Sequence, residues 1–592
     1  MIDARPSIAL RTEISPFTAS CARRSRVLNG QFALNHTSLP RRHHAAICLT
    51  SSPRSWNRTK YTYDAQGRTA TRTVTIDGVA LATLFGRDSL GRVTSVTYPS
   101  GKVLSIAYAD GRVSALHLDG APLATSIAYF PFGGPESWVF GNGTQYLRAI
   151  DANGRIAAFT TPRGDKSLAF DAAGRITRID RHVGETTDSQ AFGYDTTGRL
   201  TSFAGYTSQA PLETQSFTYD ANGNRLTATL NATTRAYSYV AGSNRLASVS
   251  GLYANTWDAA GNLLADGQRS FTYDARGRLA SATMGALTTT YRHNARGQRV
   301  MKTNAQETVR YLHDEAGHLL GEYGPSGTPL REYVWLGDTP LAVLGREPAF
   351  CAEGASPPCE GVAYLWTDHL NSPREATNAA NRRIWAWESL PFGESAPNES
   401  PEGLAPFTLN LRFPGQYFDR ETGLHQNSQR EYAPFVGQYT QTDPIGIAAG
   451  PNPLSYVNNT PLSRTDSLGL WACSSEQYAD LYFDTFLGFN ETLADEGLRS
   501  VLSIAGLGSA LAAEVNGMTS MQALNYIVRQ YVFSPRAFRG EMTISAAGRV
   551  FNAALARGMI ISSLGPLATV EAGLAFGASI QAYQRCIQAC FP

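Results

Sequence analysis

One short phrase, an aromatic residue followed by Asp, two variable residues, Gly and Arg, returns again and again through the first half of this chain. It reads Tyr63-Asp64-Ala65-Gln66-Gly67-Arg68 at its first appearance and recurs around Asp88, Asp151, Asp171, Asp195, Asp220, Asp258 and Asp274, with weaker copies at Asn294 and Asp314. Most successive copies lie 16 to 25 residues apart, with wider gaps from Asp88 to Asp151 and from Asp220 to Asp258 where a copy has decayed. A fixed-period repeat of this length limits the chain to stacked supersecondary units. The chemistry of one unit is a hairpin. Asp opens a turn by accepting a backbone N–H two residues on, and Gly three residues later supplies the positive φ of a type I turn with a bulge. The flanks alternate in polarity, as in Phe271-Thr272-Tyr273 before one turn, which is strand periodicity. Each unit offers two strands with one apolar face and buries that face only against its neighbours. The expected outcome is a long, winding β-sheet over residues 61–345, with the repeated aspartates serving the turns rather than binding carbohydrate or performing catalysis.

Composition agrees. Tyr and Phe together number 53 and Gly 54 of 592 residues, a mixture that favours short strands and turns over long helices. The net charge of +2 points to no polyanionic partner, so no nucleic acid is implied. The charge is concentrated at the start, where residues 1–60 carry ten Arg or Lys against Asp3 and Glu13 without periodicity; that stretch reads as a disordered or misassigned arm. It has no apolar run of the kind a secretory signal needs, so export is expected by another route or from a start further upstream. Seven cysteines are too few to frame the fold. Cys351 and Cys359 bracket a short loop and are candidates for a disulfide in an oxidising compartment. Cys586 and Cys590 alone make no zinc site, and neither a metal nor a cofactor is implied.

Past Gly361 the repeats give way to motifs found once each. They run Tyr364-Leu365-Trp366-Thr367-Asp368-His369, then Trp387 to Gly393, Arg412-Phe413-Pro414-Gly415-Gln416-Tyr417, Asp419 to His425, and Asn427-Ser428-Gln429-Arg430-Glu431-Tyr432, leading through Gly437-Gln438-Tyr439 to Asp443. Together with the repeats, these residues resemble the RHS, or YD-repeat, family, and their order is similar to its RHS-associated core domain. The resemblance covers about residues 61–470. It implies a repeat sheet spiralling into a shell around the C-terminal part of its own chain, with 346–470 as a β-rich plug at one end. It also implies a secreted or cell-surface protein, a cognate immunity protein as partner, and either secretion machinery or a surface glycan. His369 and His425, each alone among aromatics, read as structural.

Two similar turns close this region, Thr442-Asp443-Pro444-Ile445-Gly446 and Thr465-Asp466-Ser467-Leu468-Gly469-Leu470, with aspartates 23 residues apart. Two carboxylates held close share one proton, the ionised one able to activate water and the protonated one to polarise a carbonyl. Arg430, thirteen residues before Asp443, can keep one of them ionised. In toxin-bearing relatives the matching Arg and two Asp drive aspartyl autoproteolysis just after the final Gly-Leu. Carried over, the catalytic residues are Arg430, Asp443 and Asp466, and the cut falls between Leu470 and Trp471. The second turn departs from the family's Asp-Pro pattern, since Ser467 stands where proline would rigidify it; the expected result is a looser Asp466. The glycine pair after the first turn is likewise reduced, to Ala449-Gly450.

Composition switches at Trp471. Lys and His vanish, and Ala-, Leu- and Gly-rich runs at helical spacing appear. Helices are expected near 474–489, 494–515, 519–531, 543–563 and 567–588, making 471–592 a small α-helical C-terminal domain. Without His, the common nuclease, zinc deaminase and Ser/Cys–His solutions lose their central residue. Residues 501–513 are too short to span a bilayer, and 558–583 are interrupted by Pro566 and Glu571. A membrane-inserting effector, a soluble bundle and a chain held unfolded in the shell are the readings of this tail. Three readings of the whole chain follow: a self-processing shell that delivers a toxic tail, a non-catalytic surface protein that binds wall carbohydrate or protein, or a displaced, truncated remnant, as the odd N-terminal stretch suggests.

Overall fold

The computed structural model describes residues 56–470, except 132, 207–210, 353–354 and 447–449. The basic arm over 1–55, Trp471 and the helices expected in 471–592 lie outside the described residues. Within them the chain is almost entirely β, with no α-helix. Nineteen strands, from Asn57–Tyr63 to Tyr253–Ala254, pair antiparallel, each with the next in sequence. Thirteen more, from Thr256–Trp257 to Arg383–Ala386, form a second sheet, and four from Gln416–Asp419 to Gln438–Tyr439 form a third. The second sheet runs across the motif boundary at 345/346, because strand Thr339–Glu347 pairs with Cys359–Thr367. Cys351 and Cys359, in the connection between those strands, are joined by a disulfide with Cα atoms 5.0 Å apart.

Each fixed position of the repeat has a bond to make. In the unit at Tyr194, the Asp195 carboxylate accepts the N–H groups of Thr197 (2.9 Å) and Arg199 (3.0 Å). Gly198 takes φ +87°, and the register slips by one residue between Gly193 and Tyr194. Arg199 then does more than its own turn requires. Its Nε donates to Asp195 Oδ2 (2.6 Å), its Nη1 donates to the main-chain oxygen of Asp220 in the next turn (2.6 Å), and its guanidinium lies 5.0 Å over the Tyr219 ring. The Tyr219 hydroxyl donates back to Leu200 O (2.7 Å). Arg175, Asp195 and Tyr194 repeat this linkage one unit earlier. The motif therefore joins turn to turn as well as forming each turn. Arg199→Ala is expected to cost about 1–3 kcal/mol, read as a lowered urea midpoint, because it removes charge-assisted bonds to two turns at once.

Alternate residues of the early strands point into one core. Val74, Ile76, Leu116, Trp138, Phe140 and Tyr146 pack in the same cluster as Val300, Leu312, Val334, Leu341 and Trp366 of the second sheet. Trp138 stacks on Tyr146 at 4.1 Å, and Phe140 meets Trp366 at 5.1 Å. Tyr98 and Tyr146 donate across the sheets to Tyr333 O (3.0 Å) and Thr367 O (2.9 Å). Strands more than two hundred residues apart thus cover one another, which is how units unable to bury their own apolar faces become stable.

The third sheet shares an aromatic core with the second, in which Tyr333 and Trp385 of the second sheet pack with Trp387, Phe413, Tyr432, Tyr439 and Tyr456. It docks on the repeats through buried polar contacts. Arg299 holds Asp419 (2.6 Å) and Glu431 (3.0 Å), Asn452 donates to Asn224 (2.9 Å), and Asn459 donates to Gly223 O (2.9 Å).

Candidate functional site

The two closing turns fold alike and meet at one arginine. In the first, Gly446 N–H donates to Asp443 O (2.9 Å), with Pro444 at the second position and Gly446 at φ +64°. In the second, Gly469 N–H donates to Asp466 O at 3.4 Å, with Ser467 in the proline's place and Gly469 at φ +65°. The turn without proline keeps the same form with a longer closing bond, as expected when φ is not preset at that position.

Arg430 comes from strand Arg430–Ala433, whose pairing with Leu424–Asn427 and Gln438–Tyr439 aims its side chain at both turns. Its Nη2 lies 2.7 Å from Asp443 Oδ2 and 3.1 Å from Asp466 Oδ2, so those two oxygens are no further apart than the two contacts laid end to end. All three residues are buried. Arg430 is itself aligned by Gly469 O (2.5 Å) and Pro453 O (2.9 Å), and its guanidinium covers the Tyr439 ring at 3.5 Å. The contact with Asp443 is Coulombic, since Asp443 Oδ2 accepts no well-aligned hydrogen bond.

The two carboxylates have different surroundings. Asp466 Oδ2 receives the Tyr439 hydroxyl (2.7 Å) and Arg430 (3.1 Å), while its Oδ1 accepts the N–H of Leu470 (2.9 Å). Asp443 receives one backbone N–H, from Ile445 (3.0 Å). Burial pushes the Asp443 carboxyl up to about 6, against the pull of Arg430 and Ile445 N–H and with a further push from Asp466. One carboxylate is thus provided with donors, and the other keeps its proton to a higher pH than an ordinary carboxyl does.

Arg430, Asp443, Asp466 and Leu470 are brought together; Trp471 lies outside the described residues. Ser467, Leu468 and Leu470 line a cavity of about 730 Å³. His369 and His425 stand apart from this cluster: His369 Nε2 bonds to Leu462 O (2.8 Å) and His425 Nδ1 to Gln416 Oε1 (2.7 Å), and burial lowers the basicity of both rings. No cluster among the described residues has the ligands for a metal ion. Two residues at the site, Asn427 and Tyr439, stand in the sequence motifs with no role assigned to them there. The signal was faint: an aromatic four residues before Asp443, and an asparagine three before Arg430 that become neighbours only once the hairpin pairs.

Comparison with known proteins adds four findings. The teneurin YD-shell family model matches residues 160–313. Double-stranded DNA deaminase toxin A of Burkholderia cenocepacia is 29% identical over 351 residues, which is 53% of this chain and 23% of that protein. Toxin protein Tse5 of Pseudomonas aeruginosa is 31% identical over 247 residues, 36% of this chain and 18% of that protein. The solved Tc holotoxin pore of Photorhabdus luminescens superposes with a TM-score of 0.59 at 18% identity, covering 70% of this chain and 23% of that one, a likeness of fold. The chain spans less than a quarter of the length of each of these three.

Proposed function

Because the chain is an RHS/YD-repeat protein of the polymorphic-toxin type, we propose that its sheets form the shell of an exported toxin that encloses residues 471–592 and frees them by cutting between Leu470 and Trp471. The observation that carries this reading is the single guanidinium of Arg430 set between two buried carboxylates, one of which grips the N–H of Leu470. In this reading Asp466, ionised and oriented by Tyr439 and Arg430, takes a proton from water. The water oxygen attacks the Leu470 carbonyl carbon while protonated Asp443 gives its proton to the carbonyl oxygen. As the tetrahedral intermediate collapses, the C–N bond breaks, Asp466 gives the proton it took from water to the leaving nitrogen of Trp471, Asp443 takes back a proton from a hydroxyl of the intermediate, and Leu470 is left as a carboxylic acid that ionises in solution. The cavity lined by Ser467, Leu468 and Leu470 is the space on this side of the turn from which water would approach the Leu470 carbonyl.

The repeat aspartates support the shell rather than a glycan-binding surface, since Asp195 and its counterparts spend their carboxylates on their own turns. A toxic role for the tail follows the names of the relatives and is tested by expressing 471–592 in a bacterial host. Growth arrest relieved by a small protein encoded downstream supports it; harmless expression together with glycan binding by the uncut shell favours the surface-protein reading.

The cutting step is tested by following purified full-length chain on a denaturing gel, where fragments 1–470 and 471–592 should appear. Its pH dependence has a definite sign. Asp443 must carry a proton, and its carboxyl titrates at about 6, so the active form is present below that value and is lost as pH rises through it. Initial rates are expected to fall about 100-fold between pH 5 and pH 8. A rate that climbs across that interval would assign Asp443 the opposite role.

A further inference from the structure

The second aspartate sits in a turn that lacks its proline, and yet its backbone is held on every side by one short hairpin. Asn427 and Arg430 flank the tight turn at Ser428 and Gln429, where Ser428 takes φ +51°. Besides the Arg430–Asp466 contact, three hydrogen bonds and one close approach run from this hairpin to residues 466–469. Asn427 Nδ2 donates to Asp466 O (2.8 Å), Gln429 N–H donates to Leu468 O (3.2 Å), and Arg430 Nε donates to Gly469 O (2.5 Å). Gly469 packs so closely that a Cβ there would stand 2.3 Å from Asn427 O. Asn427 also donates to the Tyr439 hydroxyl (2.7 Å). An amide nitrogen only donates, so the phenol oxygen must accept from it and turn its single proton toward Asp466 Oδ2.

We propose that Asn427 is the positioning residue for Asp466: it clamps the main chain of the second turn from outside, doing there what Pro444 does for the first turn from within, and it directs the Tyr439 proton onto the Asp466 carboxylate. The inference rests on the self-cleavage reading, and it explains how a turn with Ser467 at its second position keeps the same form as its proline-bearing counterpart. Asn427 acts through Asp466 and Tyr439, the two residues its side-chain amide bonds.

The test is a cleavage time course with purified full-length chains whose melting curves are recorded in parallel. Asn427→Ala is expected to slow the appearance of the 471–592 fragment by about 10- to 100-fold, because small misplacements of a catalytic group cost that much. Adding Ser467→Pro to Asn427→Ala is expected to recover most of the rate, since proline presets φ in the turn whose outer clamp is gone. A purely structural loss at Asn427 would not be repaired at that one position. Gly469→Ala attacks the same contact from the other side and is expected to slow cleavage similarly; it decides the matter if Asn427→Ala does not fold. Wild-type rates in Asn427→Ala and Gly469→Ala, or no recovery from Ser467→Pro, overturn the proposal. If Asp443→Asn and Asp466→Asn block cleavage while those variants cut normally, the self-cleavage reading stands and the role of Asn427 alone falls. A wild-type chain that never cuts overturns both.

Discussion

Full-length chain carrying Asp443→Asn is expected to remain whole, running as a single 64.0 kDa species under conditions in which the wild type divides at Leu470. The amide has no proton of comparable acidity to offer the carbonyl, so the loss should reach about 10²–10⁴-fold, the range attributed to a positioned acid or base. Asp466→Asn should be as damaging for a different reason. It removes the base, and it also leaves Arg430 without the better aligned of its two carboxylates, at a position where the Tyr439 hydroxyl and the Leu470 N–H both converge. The two variants should therefore differ in stability while agreeing in activity. Asp443→Asn relieves a buried carboxyl of its charge above pH 6, whereas Asp466→Asn unpairs a network. Unchanged cleavage in both would remove the pair from the mechanism.

Arg299→Ala is expected to be the most destabilising single change among those considered, at about 3–5 kcal/mol, read from the urea midpoint. Arg299 reaches from strand Arg299–Thr303 into the third sheet, where Nη1 holds Asp419 and Nη2 holds Glu431, all three buried. Burial raises both carboxyls above the ordinary carboxylate range, with Arg299 opposing it. Lys302, Glu421 and Tyr291 complete the surroundings, and only Lys302 among them is cationic. The pH dependence follows from the direction of those shifts. A carboxyl whose value is raised on folding contributes stability that is present below its unfolded value and is lost as pH rises through the folded one. Without Arg299 the loss deepens, because two neighbouring acids must then ionise with no guanidinium between them. The deficit of Arg299→Ala should accordingly be small at pH 5 and large at pH 8. Arg299→Lys should recover only part of it, since an ammonium cannot hold two carboxylates in the plane of a fork.

Much of the fold was legible because it is local. The turn at Asp195 needs only residues 195 to 199 to form, and Asp, Gly and Arg at that spacing meet its requirements in any copy. The repeat arginine was readable as part of the motif, but its reach into the next turn was not, because that bond depends on how strands stack. The motif change near 345 was also legible, although it marks no break in the sheet: strand pairing responds to alternation and register, which continue through Thr339–Glu347 into Cys359–Thr367. The site divided in the same way. Arg430, Asp443 and Asp466 were candidates from residue type and from their resemblance to a known core, and the structure brings the three together. Asn427 and Tyr439 carry no chemistry of their own that would single them out.

By itself, then, the order of residues determined the hairpins, the positive-φ glycines and the two closing turns, since each is settled by a handful of neighbouring dihedrals and one or two bonds. Only the tertiary structure decided that strand Arg430–Ala433 lies beneath both closing turns, and that Asn427 and Tyr439 flank the second aspartate. Those contacts join residues 23 to 39 positions apart. Their geometry comes from the packing of Tyr432, Tyr439 and Tyr456 in one buried cluster. A spacing in the sequence does not report such packing, because the same spacing is compatible with many arrangements and burial selects one.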